Sequence, residues 1–133
     1  MKVIDRHTRQ VIANEGKEAS TFWKRFKGLM FTKSIPDHFA LHITPCPSIH
    51  TFFMKYPIDV IYLNHNKEVI GMEENLKPGR VGKRVPGARS VLELPAGRIR
   101  KTAVTKGQSL VLVRDNTNKE VGTLADEKSI KNI

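Results

Sequence analysis

Apolar residues in this chain come in short, often alternating runs separated by polar turns, and that rhythm predicts a mainly β protein. Val3 and Ile4 face Val11 and Ile12 across polar residues 5–9, the pattern of a hairpin over residues 1–14. Residues 14–19 read as a loop, and residues 38–43 alternate as a strand. The segment YPIDVIYL, residues 56–63, is β-branched and aromatic and apolar on both faces except at Asp59. A turn at 64–66 returns it into a partner strand at 67–72, and strands follow at 90–94 and 109–113. A short extended piece is expected at 51–53, after a two-proline loop at 44–48. One helix is expected near 20–27. There Phe22, Trp23, Phe26 and Met30 make an apolar stripe, Ser20 or Thr21 caps the first turn, and Gly28 ends it in a left-handed cap. Pro36 stops any continuation. A helical turn begins at 95–97 and ends near Val104. The expected fold is a small jelly-roll-like β-sandwich or barrel, with one short N-terminal helix and a short helical turn near the C-terminal third. Residues 1–113 form the single β-rich domain, and 114–133 a polar, flexible tail.

A length of 133 residues suits one domain. Such a domain buries roughly two thirds of its unfolded surface, so neither a disulfide nor a structural metal is called for. The single cysteine, Cys46, cannot form an internal bridge, which points to a reducing compartment. No apolar run reaches about 18 residues, so no membrane span is expected. The opening MKVIDRHTRQVIANEG lacks the apolar stretch of a signal peptide, and the expected location is the cytoplasm.

The formal net charge is +10, and it is uneven. Between Lys77 and Lys106 nine Lys or Arg residues stand against one acid, Glu93, a local net charge of +8. That stretch attracts phosphates, anionic lipid surfaces or acidic proteins, or simply keeps loops soluble. It contains no aromatic residue, whereas a groove for single-stranded nucleic acid needs stacking rings among its cations. Residues 75–88 are long for a structureless loop. Within and just beyond them Arg80, Lys83, Arg84 and Arg89 alternate with Gly79, Gly82 and Gly87, a candidate anion-binding loop of amides and cations. Its pattern GRVGKRVPG fits neither a P-loop nor a dinucleotide fingerprint.

Two acids stand out inside apolar strands. Asp59 needs a cation or several N–H donors if it is buried ionised, and Arg25 is the expected partner. Glu93 is either a solvated strand residue paired with a nearby cation or a second pocket carboxylate. Convergence of the two would suit acid–base chemistry. Cys46, His50 and Met54 recur every four residues and are ligands that soft metals accept. On an extended strand they stand about 13 Å apart, too far for one ion, so no metal and no cofactor is expected. Met30, Phe52, Phe53, Met54 and Tyr56 form an apolar cluster that is either core or the wall of a pocket.

Three stretches in this order carry a family resemblance: WKRFKGLMF (residues 23–31), SIHTFFMKYPIDVIYLN (48–64), and VLELPAG (91–97) followed by the turn at Gly107. They resemble the domain of unknown function 192 family, also called uncharacterised protein family 0127, over about residues 3–113. The resemblance implies a mainly β, jelly-roll-like sandwich with a small helix and implies no particular activity. Many relatives carry an Asp just after the late glycine turn, where this chain has Gln108. The leading expectation is a binding or accessory module for an unknown small ligand, its pocket lined by Met30, His50, Phe52, Met54, Asp59 and Glu93. The alternatives are an anion- or nucleic-acid-binding protein acting through residues 77–106, and a small hydrolase or lyase using paired carboxylates or Cys46 with His50. No residue is expected to be catalytic.

Overall fold

The structure, a computed structural model, describes residues 1–30 and 32–114. The expected tail beyond Arg114, Phe31, and the Phe22, Trp23 and Phe26 side chains of the expected helical stripe lie outside the described residues. In chain order come β1 (Lys2–Asp5), β2 (Val11–Ala13), β3 (Glu15–Ala19), α1 (Phe22–Lys27), β4 (Phe39–Ile43), β5 (Ile58–Leu63), β6 (Val69–Leu76), β7 (Ser90–Pro95), α2 (Arg98–Thr102) and β8 (Leu110–Val113). They form two open sheets, a three-stranded one in the order β2-β1-β8 and a five-stranded one in the order β3-β4-β7-β5-β6. The described residues form no closed barrel. Among them no helix is long and apolar enough to cross a membrane.

Local chemistry accounts for the joints. Asp5 closes the β1–β2 hairpin by accepting the amides of His7 and Thr8 at 2.8 and 2.7 Å, an aspartate turn. Thr21 caps α1 by accepting the Lys24 amide at 3.2 Å. Gly28 ends that helix at φ 49° and ψ −125°, a positive φ outside the left-handed helical region expected for it. Residues 15–19, expected as loop, are strand β3, paired in parallel with β4. Its sequence EGKEA is polar because it is an edge strand with Ala19 as its one buried residue. The helical turn after β7 is α2, which ends at Thr102.

One apolar core joins the sheets, packing Val3, Ile12, Leu110 and Leu112 against Ile61, Leu63, Leu92 and Leu94. The other face of the five-stranded sheet is covered as well, with Ile43, Val60, Tyr62 and Val91 meeting Leu29, Ile49 and Met54 from the loops. β5 is therefore buried along its whole length, which is why YPIDVIYL is greasy on both sides.

β5 and β7 run antiparallel with Asp59 opposite Leu94 and Val60 opposite Glu93. Directly opposed residues share a face and neighbours alternate, so Asp59 and Glu93 point to opposite sides of the sheet. Asp59 lies on the inter-sheet face and is 0% exposed. Its Oδ1 accepts the Asn75 amide at 2.8 Å, and its Oδ2 accepts the amides of Gly97 and Ile99 at 3.0 and 2.9 Å. Asn75 reaches it from an irregularity in the β5–β6 ladder, at φ 53°, a conformation asparagine tolerates. The expected Arg25 pairing is corrected: Arg25 donates instead to the carbonyls of Pro45 and Thr21, and three backbone amides satisfy Asp59. Asp59→Ala strands those amides, so it is expected to lower the unfolding free energy by about 3 kcal/mol, read by urea denaturation.

Candidate functional site

Glu93 occupies the opposite face, at the floor of a pocket of about 360 Å³. β7 supplies Glu93 and β4 supplies Ile43; the end of α1 brings Arg25 and Lys27. The segment 28–30 and the loop through Cys46, Ser48, Ile49 and His50 close the sides, with Met54 beyond. Glu93 is 3% exposed, and its Oε2 has no hydrogen-bond partner among the described residues. Burial pushes its pKa up to about 8 from the usual 4.5, opposed by the Leu29 amide that faces it. Burial therefore favours the protonated form of the group. The alternative of a solvated, ion-paired Glu93 is set aside by this burial.

The backbone arranges that amide deliberately close. A Cβ on Gly28 would stand 3.2 Å from Glu93 Oε1, and Gly28 also holds a positive φ of 49°. A bare backbone at the end of α1 is thus what lets the chain pass over the carboxyl. In the sequence Gly28 reads only as a helix stop.

Of the residues expected to form one site, Met30, His50, Met54 and Glu93 line the pocket together. Asp59 does not, because the pleat of β5 and β7 sends it to the other side. The convergence of two carboxylates is corrected on the same ground, and with it the paired-carboxylate reading. Phe52 does not line the pocket either: it sits in a turn and is 44% exposed, while Met54 turns back inward. Cys46 joins His50 and Met54 at the pocket because the loop folds back, whereas an extended strand would separate them. Among the described residues no three His, Cys, Asp or Glu side chains gather as a metal site. The Cys46 thiol donates to the Ser48 carbonyl at 2.8 Å, and burial pushes its pKa up, away from a reactive thiolate.

The four basic candidates lie elsewhere. Arg80, Lys83, Arg84 and Arg89 are exposed, and Lys83 and Arg84 line a second concavity of about 410 Å³ with Lys106. Sequence reasoning missed Thr51, which is fully buried and pins this basic loop. Its hydroxyl donates to the Lys77 carbonyl at 2.6 Å and accepts the Arg80 amide at 2.8 Å. A lone threonine before two phenylalanines carries no signal of such a role.

Together these features define a class: a small, two-sheet, mainly β protein with a buried carboxyl in a pocket of apolar and basic residues. The comparisons give the family. The DUF192 profile, described as "Uncharacterized ACR", matches residues 3–112, so the chain belongs to the DUF192 family. A UPF0127 protein of Pyrococcus furiosus is 39% identical over 101 residues, covering 72% of this chain and 84% of that protein. A UPF0127 protein of Thermococcus sibiricus is 35% identical over 102 residues, and the match covers 73% of this chain but 65% of that relative. A crystal structure of a protein of unknown function from Novosphingobium aromaticivorans has the same fold, with a TM-score of 0.72 at 20% identity over 84% of this chain and 82% of that one. No activity is established for these relatives.

The buried acid predicts a pH dependence of stability. A carboxyl whose pKa rises on folding holds its proton in the folded state where the unfolded chain has lost it. Its contribution is full below about 4.5 and is lost as pH rises toward about 8. Glu93→Gln is expected to flatten that decline, which otherwise reaches at most about 1.4 kcal/mol per pH unit, read by urea denaturation across the window.

Proposed function

We propose that this chain is a small binding or accessory module that holds a mostly apolar small molecule by its polar end. The two sheets are read as a jelly-roll-like sandwich with its short N-terminal helix closing one side of the pocket. The observation that carries the reading is the unpartnered, buried Oε2 of Glu93 in the pocket. A buried polar atom left without a partner is costly, and a ligand hydrogen bond removes that cost. The pocket volume of about 360 Å³ falls at the small end of ligand sites, which run from about 300 to 1,000 Å³.

A protonated carboxyl donates one hydrogen bond and accepts others, so it suits a carboxylic acid, amide or carbonyl. A permanent cation would first have to displace the proton. Arg25 and Lys27 at the rim bias the choice further toward acidic and neutral head groups. The test is a panel of short-chain carboxylic acids, amides and amines of about six to ten heavy atoms, followed by NMR shift perturbation and thermal melting. Acids and amides are expected to perturb the signals of residues 28–30 and 46–50, and Glu93→Leu to weaken them at least about tenfold. Preference for amines, or binding indifferent to that substitution, would contradict the reading.

A further inference from the structure

We infer a second site, which shares His50 with the pocket lining and otherwise uses different residues: the turn at 50–53, locked to the basic loop at 77–84, is a platform for single-stranded nucleic acid. The basic stretch has no rings of its own, but the fold supplies them. His50 bridges to Val81, the Thr51 amide donates to the Arg80 carbonyl at 2.7 Å, and the Gly79 amide donates to the Thr51 carbonyl at 2.9 Å. With the buried Thr51 hydroxyl bonds, these contacts carry Phe52 and Phe53 to the edge of the cationic loop.

The rings face outward. Phe52 is 44% exposed, Phe53 67% and Val81 66%. Exposed phenyl groups next to each other in the chain, with Val81 beside them across the bridge, make an apolar patch of the kind that serves as a contact surface. Phe53 holds a φ of 62°, a conformation that is costly for a bulky side chain, so the outward presentation is maintained against local strain. His50 and Phe52 stack with centroids 5.0 Å apart and planes 23° from parallel, and the Phe52 ring of that pair is 44% exposed, a flat group of the kind a base stacks on.

The two segments themselves carry charge of one sign, and the carboxylate against them, Glu73, is engaged by the Lys83 amide and the Tyr62 hydroxyl. Residues 48–57 and 77–89 contain six Lys or Arg residues and no Asp or Glu. Lys55, Lys77, Arg80, Lys83 and Arg84 are exposed, and Lys106 joins the last two at the second concavity. Phosphates track such cations while unpaired bases stack on the rings, an arrangement tolerant of sequence. A duplex hides its base faces and forfeits the stacking. A lipid surface would also meet cations and phenyl groups, but insertion asks only for apolar bulk, whereas the near-parallel ring pair is suited to flat bases.

The experiment is fluorescence anisotropy of the full chain with a labelled mixed-sequence oligonucleotide of about 12 nucleotides, as single-stranded DNA, single-stranded RNA and duplex DNA. Single strands are expected to bind more tightly than the duplex, with log affinity falling against log salt at a slope of about −3, as for roughly four phosphate contacts. The double variant Phe52→Ala with Phe53→Gly is expected to weaken single-strand binding at least about fivefold with the salt slope unchanged. Glycine is at ease at the positive φ of residue 53, and a thermal melt confirms that this variant folds. Arg80→Gln is expected to reduce the slope by about 0.7. Absence of binding at about 50 mM salt overturns the proposal, as does binding indifferent to removal of the rings. Ring-dependent binding to phosphatidylserine vesicles without oligonucleotide binding also overturns it, in favour of a membrane surface.

Discussion

A carboxylate cut off from water must be matched by donors, and Asp59 meets that demand with three backbone amides drawn from β6 and from the start of α2. Those bonds tie the irregular end of the β5–β6 ladder to the turn that follows β7. They set the position of α2, whose Ile99 completes the apolar core between the sheets. The β6 edge of β5 and the turn that leaves β7 are thereby anchored to one side chain. The arrangement works because amides, unlike a lysine or arginine, bring no charge of their own that needs solvation.

The same pair of strands carries a second acid in the reverse situation. Glu93 stands one pleat away from Asp59 and so faces the opposite side, where the Leu29 amide lies near it and Oε2 is unmatched among the described residues. One acid is satisfied and structural. The other is pushed toward its protonated form by burial, and it lines a cavity. The difference arises from which face each side chain occupies, since both residues are buried. A protein surface elsewhere repeats the theme of an arrangement made by distant segments: Thr51 brings exposed phenyl rings to cations that lie about thirty positions further along the chain.

What could be read from the amino acids follows from where each signal resides. β5 was legible because burial on both faces leaves an unbroken β-branched run, and the acid within it stood out by its cost. β3 was not legible, since an edge strand with one buried residue has the composition of a loop. The partners of Asp59 were hidden because backbone amides leave no trace in side-chain identity. Whether Asp59 and Glu93 share a face depends on the register between strands some thirty residues apart, which no local pattern encodes. Cys46, His50 and Met54 were recognisable as a set, but their meeting depends on a loop that folds back on itself. Gly28 announced the end of a helix, while its approach to Glu93 exists only in the folded chain.

Ligand selection in the pocket depends above all on a protonated Glu93 at neutral pH. Direct titration of its side-chain carboxyl by carbon-13 NMR, assigned through Glu93→Gln, addresses this without any ligand. A midpoint near 8 is the expected result, and a midpoint near the ordinary 4.5 would contradict the account.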